Sequence, residues 1–271
     1  APEQQLEAVR KIIDCLAQTG IAGSPPQIAR IGYDILSAMS GTADPFLDIK
    51  RKSNAMALDI RAAAEALIAG SDDRLHAAAA CAVAGNIIDY AVNDGVSAAA
   101  MLDMIHSTMR ALDMRQTRRL AADAARAARI LYVCDNAGEI IFDSLLVREL
   151  GPEKITVCVR GKPAINDALA DDAAAAGLDL LLDGRIIDTG EGVPGINLRP
   201  DSDLCRALRD YDMLVAKGQG NFESLHGSDL HRHYLPPEVP VWFLFRVKCE
   251  HVARSAGIAN GEPAMLREPC S

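Results

Sequence analysis

The sequence predicts an α/β protein: a helical N-terminal domain followed by a Rossmann-like, mainly parallel sheet with helices on both faces. Two observations carry this. Up to about residue 125, Ala- and Leu-rich stretches recur with polar residues at helical spacing. From residue 129 onward, short apolar runs alternate with helical stretches, which is the pattern of βαβ units. A chain of 271 residues holds one large domain or two modest ones. The change of pattern divides it into a helical part, 1–125, and an α/β part, 126–271.

In the helical part, Ala-rich stretches at 61–67, 76–84 and 98–101 read as helix. They are set off by Gly23-Ser24-Pro25-Pro26, Gly41-Thr42-Ala43-Asp44-Pro45, Gly70-Ser71-Asp72-Asp73 and Asn93-Asp94-Gly95. Ser71 or Asp72 is placed to cap a helix N-terminus. In the α/β part, buried strands are expected at 130–134, 155–159, 213–216 and 241–245, the last clear one. Leu180-Leu181-Leu182 and Ile186-Ile187-Asp188 read as further strand pieces, and helices are expected near 138–150, 166–176 and 202–210.

Composition sets limits. Hydrophobic residues make up 49% and aromatics only 4%, so the core is expected to be aliphatic. The formal net charge of −9 argues against a broad nucleic-acid surface. It leaves room for a small phosphorylated ligand, because a few local cations or a metal can invert the field inside one cleft. No apolar run is long enough to span a membrane, and the polar start Ala1-Pro2-Glu3-Gln4-Gln5 gives no sign of a signal peptide. Cys15, Cys81, Cys134, Cys158, Cys205, Cys249 and Cys270 form no CxxC pair, and several lie in apolar runs. Reduced thiols in a cytoplasmic protein are expected. Nothing in the sequence sets an oligomeric state.

In an open parallel sheet, ligands bind beyond the carboxyl ends of the strands, where helix N-termini converge. The first strand is followed by Asp135, Asn136, Ala137, Gly138, Glu139 and Asp143. Glu139 and Asp143 share a helix face. Oxygen donors without a thiolate or imidazole suit a hard divalent ion, although an Asp/Asn helix cap gives the same local pattern. The second strand is followed by Arg160-Gly161-Lys162 and by Asn166-Asp167, where Asp167 is expected to open a helix in the same crevice as Asp135. Two converging carboxylates repel unless a cation lies between them, and Arg160 and Lys162 would suit a phosphoryl group. The strand ending at Ala216 is followed by Lys217-Gly218-Gln219-Gly220-Asn221-Phe222-Glu223, a turn whose glycines let amides form a cradle. It is neither a dinucleotide fingerprint nor a P-loop. Lys248 emerges at the end of the last strand beside Cys249, which is expected to be a packed thiol rather than a nucleophile. His231 and His233 could bind zinc, but no third ligand is suitably spaced.

Together these segments resemble the damage-control phosphatase family (domain of unknown function 89), in its microbial, archaeal-type branch. The resemblance rests on Asp135-Asn136-Ala137-Gly138-Glu139 with Asp143, Lys162-Pro163 with Asn166-Asp167, 217–223, and Lys248-Cys249. Asp44-Pro45-Phe46 with Lys50 and Asn54 matches in the helical part. The resemblance implies metal ligation by Asp135, Asn136 and Asp167, with Mn, Mg, Co or Ni as the divalent ion. It implies substrate binding by Glu139, by Gln219, Gly220, Asn221, Phe222 and Glu223, and by Lys248. A Cys pair often found near the N-terminus of that branch is missing.

The expected activity is metal-dependent hydrolysis of small phosphomonoesters: sugar phosphates or damaged phosphometabolites. Lys217, Lys248 and the glycine-turn amides would stabilise charge on the phosphoryl oxygens, and Glu139 or Asp143 would orient the water. Attack by Asp135 itself, through an aspartyl-phosphate, is the ranked second mechanism. The rival activities are a carboxyl methyltransferase using S-adenosylmethionine and a non-catalytic metal-binding module. The Gly-rich loop 183–199 is placed to line the opening.

Overall fold

The computed structural model describes residues 2–20, 25–87, 97–199, 202–227, 234–236 and 238–268. Among the described residues, six α-helices come first: α1 (Pro2–Thr19), α2 (Pro25–Ser40), α3 (Leu47–Ala69), α4 (Arg74–Ala84), α5 (Ala98–Ala111) and α6 (Met114–Arg126). Asp73, rather than Ser71 or Asp72, caps α4, its carboxylate accepting from the His76 amide. The turn expected at Asn93-Asp94-Gly95 and the pair His231 and His233 lie outside the described residues.

Alternation then begins: β1 (Ile130–Val133), α7 (Glu139–Leu150), β2 (Ile155–Val159), α8 (Ala170–Ala175), α9 (Leu178–Leu181) and β3 (Ile186–Asp188). After these come α10 (Asp203–Leu208), β4 (Met213–Lys217), α11 (Gly218–Leu225), β5 (Val241–Arg246), α12 (Glu250–Ala256) and β6 (Pro263–Glu268). The sheet order is β3-β2-β1-β4-β5-β6, with β6 alone antiparallel. The order reverses between β1 and β4, and it is beyond the carboxyl ends at such a reversal that open parallel sheets bind ligands.

Two expectations change. Leu180 and Leu181 close a short helix rather than a strand; Gly177, at φ 73, turns the chain into it, and Leu178 is buried while Leu180 is 86% exposed. The strand β6 was not expected. It begins with Pro263, which suits an edge strand because its missing N–H leaves no ladder position empty.

Strands β1, β2, β4 and β5 are buried on both faces, while β3 at the edge is half-exposed. Ile130, Tyr132 and Cys134 join one core cluster with helices α3 to α7, while Leu131 and Val133 join a second with α10 to α12. This is the two-residue period of a strand serving two cores. The first cluster is continuous from Ala57 in α3 through Ala77–Ala84 in α4 to Leu244 in β5. The small side chains of α4 let its backbone lie close against α7. That packing brings residues of the helical region to the strand ends.

Candidate active site

Asp135 and Asp167 face one another. The chain after β2 does not enter a helix at Asn166 as expected. It pairs with the turn after β1: Asn136 and Asp167 form an isolated antiparallel bridge, Ala137 donates to the Asn166 carbonyl, and Ala168 donates to that of Asp135. Helix α8 starts only at Ala170. Ile165, at φ 46, turns the chain into this pairing. A β-branched residue in the left-handed region costs roughly 1–3 kcal/mol, held by the surrounding structure.

Four carboxylates gather here, each at most 7% exposed: Asp135, Glu139, Asp143 and Asp167. Two buried cations answer them. Arg160 lies between the facing pair, with Nε 2.6 Å from Asp167 Oδ2 and Nη2 3.9 Å from Asp135 Oδ1. Its Nη2 also donates to Asn221 Oδ1 at 3.1 Å, and its Nη1 is buried without a partner among the described residues. Lys217 sits beneath, with Nζ 2.5 Å from Glu139 Oε1, 2.8 Å from Asp143 Oδ1 and 2.9 Å from the Ala82 carbonyl. Burial pushes the Asp135 carboxyl well above the ordinary range, and Glu139 and Asp167 add to it. Burial likewise raises Asp167, against the pull of Arg160. Asp143 is pushed up by burial to about 7, with Lys217 opposing. Burial disfavours the Lys217 ammonium, but Asp143 and Glu139 outweigh it and raise the group.

These contacts reassign several expected roles. An ammonium has three donors, and Lys217 spends all three on Glu139, Asp143 and Ala82. It therefore does not reach a phosphoryl group; it anchors the acidic helix α7. Asp143 is fully buried, its Oδ1 taken by Lys217 and by the Tyr132 hydroxyl at 2.8 Å, so it does not orient a water in the crevice. Glu139 is likewise sealed and acts from beneath the crevice rather than as a direct substrate ligand. Asn221 is buried and structural, donating to the carbonyls of Cys134 and Lys217. Phe222 is 2% exposed and packs against Phe243, Phe245 and the His226 ring. Arg160 serves the carboxylates instead of an open anion site.

Gln219, Gly220, Glu223 and Lys248 are brought to the rim. Gln219 Oε1 accepts from the Lys248 amide at 2.8 Å, and its Nε2 donates to Glu223 Oε1 at 3.2 Å and lies 3.7 Å from Cys249 Sγ. Lys248 is exposed, and its charge favours the ionised form of Asp135. Lys162 is exposed on the loop after β2. Gly218, at φ 78, must be glycine: a Cβ there would lie 1.8 Å from Asp135 Oδ2. The loop expected at the opening does reach the site. The Gly195 amide lies 3.4 Å from Asp167 Oδ2, and Arg30 of α2 ties this loop down through the Gly192 and Pro163 carbonyls.

Sequence reasoning assigned no role to the helical side of the site. Asn54 Oδ1 accepts from the Gly138 amide at 2.7 Å, and its Nδ2 donates to Asp172 Oδ1 at 2.7 Å. Buried Lys50 lies 2.7 Å from Asp44 Oδ2 and 3.9 Å from Asp172 Oδ2. Asn86, just after α4, donates to Asp135 and Glu139. Asn54 carried a hint in the resemblance; nothing local marked Asn86.

Asp135, Asn136 and Asp167 could hold a hard cation: their donors are oxygens, and the carboxylates outnumber the buried cations. Among the described residues, no three His, Cys, Asp or Glu side chains converge as a metal cage, and this set is two carboxylates and an amide. None of the described helices is long and apolar enough to cross a membrane.

Fold and crevice together define an α/β protein with its working groups at the switch point of a parallel sheet. The damage-control phosphatase ARMT1-like domain matches residues 1–263. A damage-control phosphatase of Archaeoglobus fulgidus is 34% identical over 241 residues, covering 87% of this chain and 78% of that protein. The damage-control phosphatase PH1575 of Pyrococcus horikoshii is 32% identical over 232 residues, covering 84% and 76%. The crystal structure of PH1575, a DUF89 family protein, superposes with a TM-score of 0.81 at 28% identity, covering 98% of this chain and 90% of that one. The chain belongs to the damage-control phosphatase family, and it is a phosphatase of that family.

Proposed function

We propose that this phosphatase hydrolyses small phosphomonoesters of damaged or unwanted metabolites, with a divalent cation held by Asp135, Asn136 and Asp167. The observation that supports the reading most is the charge balance at the strand ends. Four buried carboxylates are met by two buried cations, which leaves a deficit that one divalent ion fills. Oxygen-only donors suit Mn²⁺ or Mg²⁺, with Co²⁺ or Ni²⁺ as substitutes. When bound, such an ion would polarise a phosphoryl oxygen and acidify a water.

The chain's own residues do the rest. Arg160 holds Asp167 in place, and Asn136 Nδ2, 2.8 Å from Asp135 Oδ2, holds Asp135. Lys248 approaches from the rim, where its ammonium offsets phosphoryl charge. Gln219 fixes the Lys248 backbone and holds Glu223 beside it at the rim. Lys217 pins Glu139 and Asp143 through its two contacts, so the floor of the site does not rearrange during reaction.

The test is a phosphatase assay across divalent ions and phosphomonoesters on metal-stripped protein. Turnover is expected only with added metal. Asp135→Ala and Asp167→Ala should abolish both turnover and metal uptake, with the circular dichroism spectrum unchanged. Full activity in Asp135→Ala, or in the presence of a chelator, rules the reading out.

A further inference from the structure

We propose that Asn86, supplied by the helical region, is a positioning residue of the catalytic centre: it clamps Asp135 and Glu139 together and sets the direction of the Asn136 amide. The inference rests on the phosphatase reading above for the reaction it serves.

The geometry is a closed square of two amides and two carboxylates. Asn86 Nδ2 lies 2.7 Å from Glu139 Oε2 and 3.3 Å from Asp135 Oδ2. Asn136 Nδ2 lies 2.8 Å from the same Asp135 oxygen and 3.2 Å from the same Glu139 oxygen. An amide NH₂ carries two donor hydrogens, so each asparagine bridges the two acids. Four donor hydrogens converge on two oxygens that would otherwise repel. Each acid is held from behind by a cation: Glu139 Oε1 by Lys217 and Asp135 Oδ1 by Arg160.

The square has a consequence for ligation. With both hydrogens of Asn136 Nδ2 committed to carboxylates, its carbonyl oxygen is turned the other way and left for a cation. Without Asn86, Asn136 would be free to swing between the acids. Asn86 is 1% exposed, and its own Oδ1 is buried without a hydrogen-bond partner among the described residues. A buried amide oxygen left bare costs about 1–3 kcal/mol, a cost kept only where the other half of the group is needed. Groups that orient metal ligands from behind serve in this way.

Asn86→Ala, Asn86→Ser and Asn86→Asp test this in the full chain, metal-stripped and then loaded with Mn²⁺. The Ser variant can keep one donor; the Asp variant keeps the shape but sets a third carboxylate against Asp135 and Glu139. With p-nitrophenyl phosphate, kcat should fall about 10- to 100-fold in Asn86→Ala and Asn86→Asp. KM should stay within about threefold, and Asn86→Ser should fall between Asn86→Ala and wild type in kcat. Without metal, Asn86→Asp should melt below Asn86→Ala, and Mn²⁺ should raise its Tm by more than it raises that of the wild type. A role in packing alone gives the reverse order, with the Asp variant near wild type and the Ala variant lowest; that order, or unchanged kcat in both, overturns the proposal. If the wild type shows no metal-dependent turnover, the phosphatase reading fails, and the melting order still decides whether Asn86 acts as the donor.

Discussion

The two ends of the sheet each bury charge, and they do so in opposite ways. At the amino ends of the strands, Asp123 of α6 accepts from Arg126 at 2.6 Å, from Arg267 at 2.7 Å and from the Trp242 indole at 3.0 Å. One acid meets three donors. Burial would raise its pKa, but Arg267, Arg126 and Trp242 together bring it below the ordinary carboxylate range. At the carboxyl ends, four acids meet two buried cations, and Asp135, Asp143 and Asp167 are all raised. In the first cluster the acid is fully answered by donors, two of them arginines that reach the surface; in the second the acids outnumber the buried cations. Buried charge by itself does not mark a functional site. A buried charge deficit beside an open rim does.

Substitutions can break or sharpen this contrast. The largest stability effect is expected for Lys217→Met. It strips the cation from Glu139 and Asp143 and leaves two uncompensated acids, which should cost about 3–5 kcal/mol in urea unfolding. If the variant matched the wild type, Lys217 would not be the anchor described. Asp123→Ala should cost less, about 1–3 kcal/mol, because Arg126 and Arg267 can turn to solvent, while kcat per folded molecule stays unchanged. A drop in kcat would make the amino-end cluster part of the site after all.

A smaller effect is expected from pH. Asp143 is raised to about 7 in the folded protein, against about 4 in an unfolded chain. Between those values the folded state holds the extra proton. Its contribution is therefore full below about pH 4 and lost as pH rises through about 7. Metal-free protein should show a urea midpoint that declines from pH 5 to pH 8, and Asp143→Asn should flatten that decline. Asp123 has the opposite shift, so its contribution is present at neutral pH and is lost on acidification. The smallest stability effect belongs to Lys248→Ala. Its side chain is exposed, so Tm should hold within a degree or so, while KM for a phosphomonoester rises about tenfold. An unchanged KM would remove Lys248 from the rim.

The strand-end motifs were legible because turn chemistry is local. Asp135-Asn136 after a buried strand and Gly218 after another follow from chain position, and the structure sets both beside one crevice. The helix expected at Asn166 failed because the local signal for an Asn/Asp cap is the same whether the chain coils or pairs. Here tertiary pairing with Asn136 prevailed. Strand β6 escaped notice because it opens on a proline, ends half-exposed and shows no strict alternation.

By itself, the sequence determined where apolar runs alternate with helices, which acids and glycines follow each strand, and the family these residues resemble. Periodicity and turn preference act over a few residues and can be read without contacts. Tertiary structure alone decided that Lys217 points down to Glu139 and Asp143, that Arg160 lies between Asp135 and Asp167, and that Asn86 reaches the acids across 49 and 53 positions of chain. A side chain's partners depend on which face its backbone presents and on what packs against that face. For Lys217 and Asn86 the close approach of the Ala-rich α4 to α7 settled both; for Arg160 it was the pairing of Asp167 with the turn after β1.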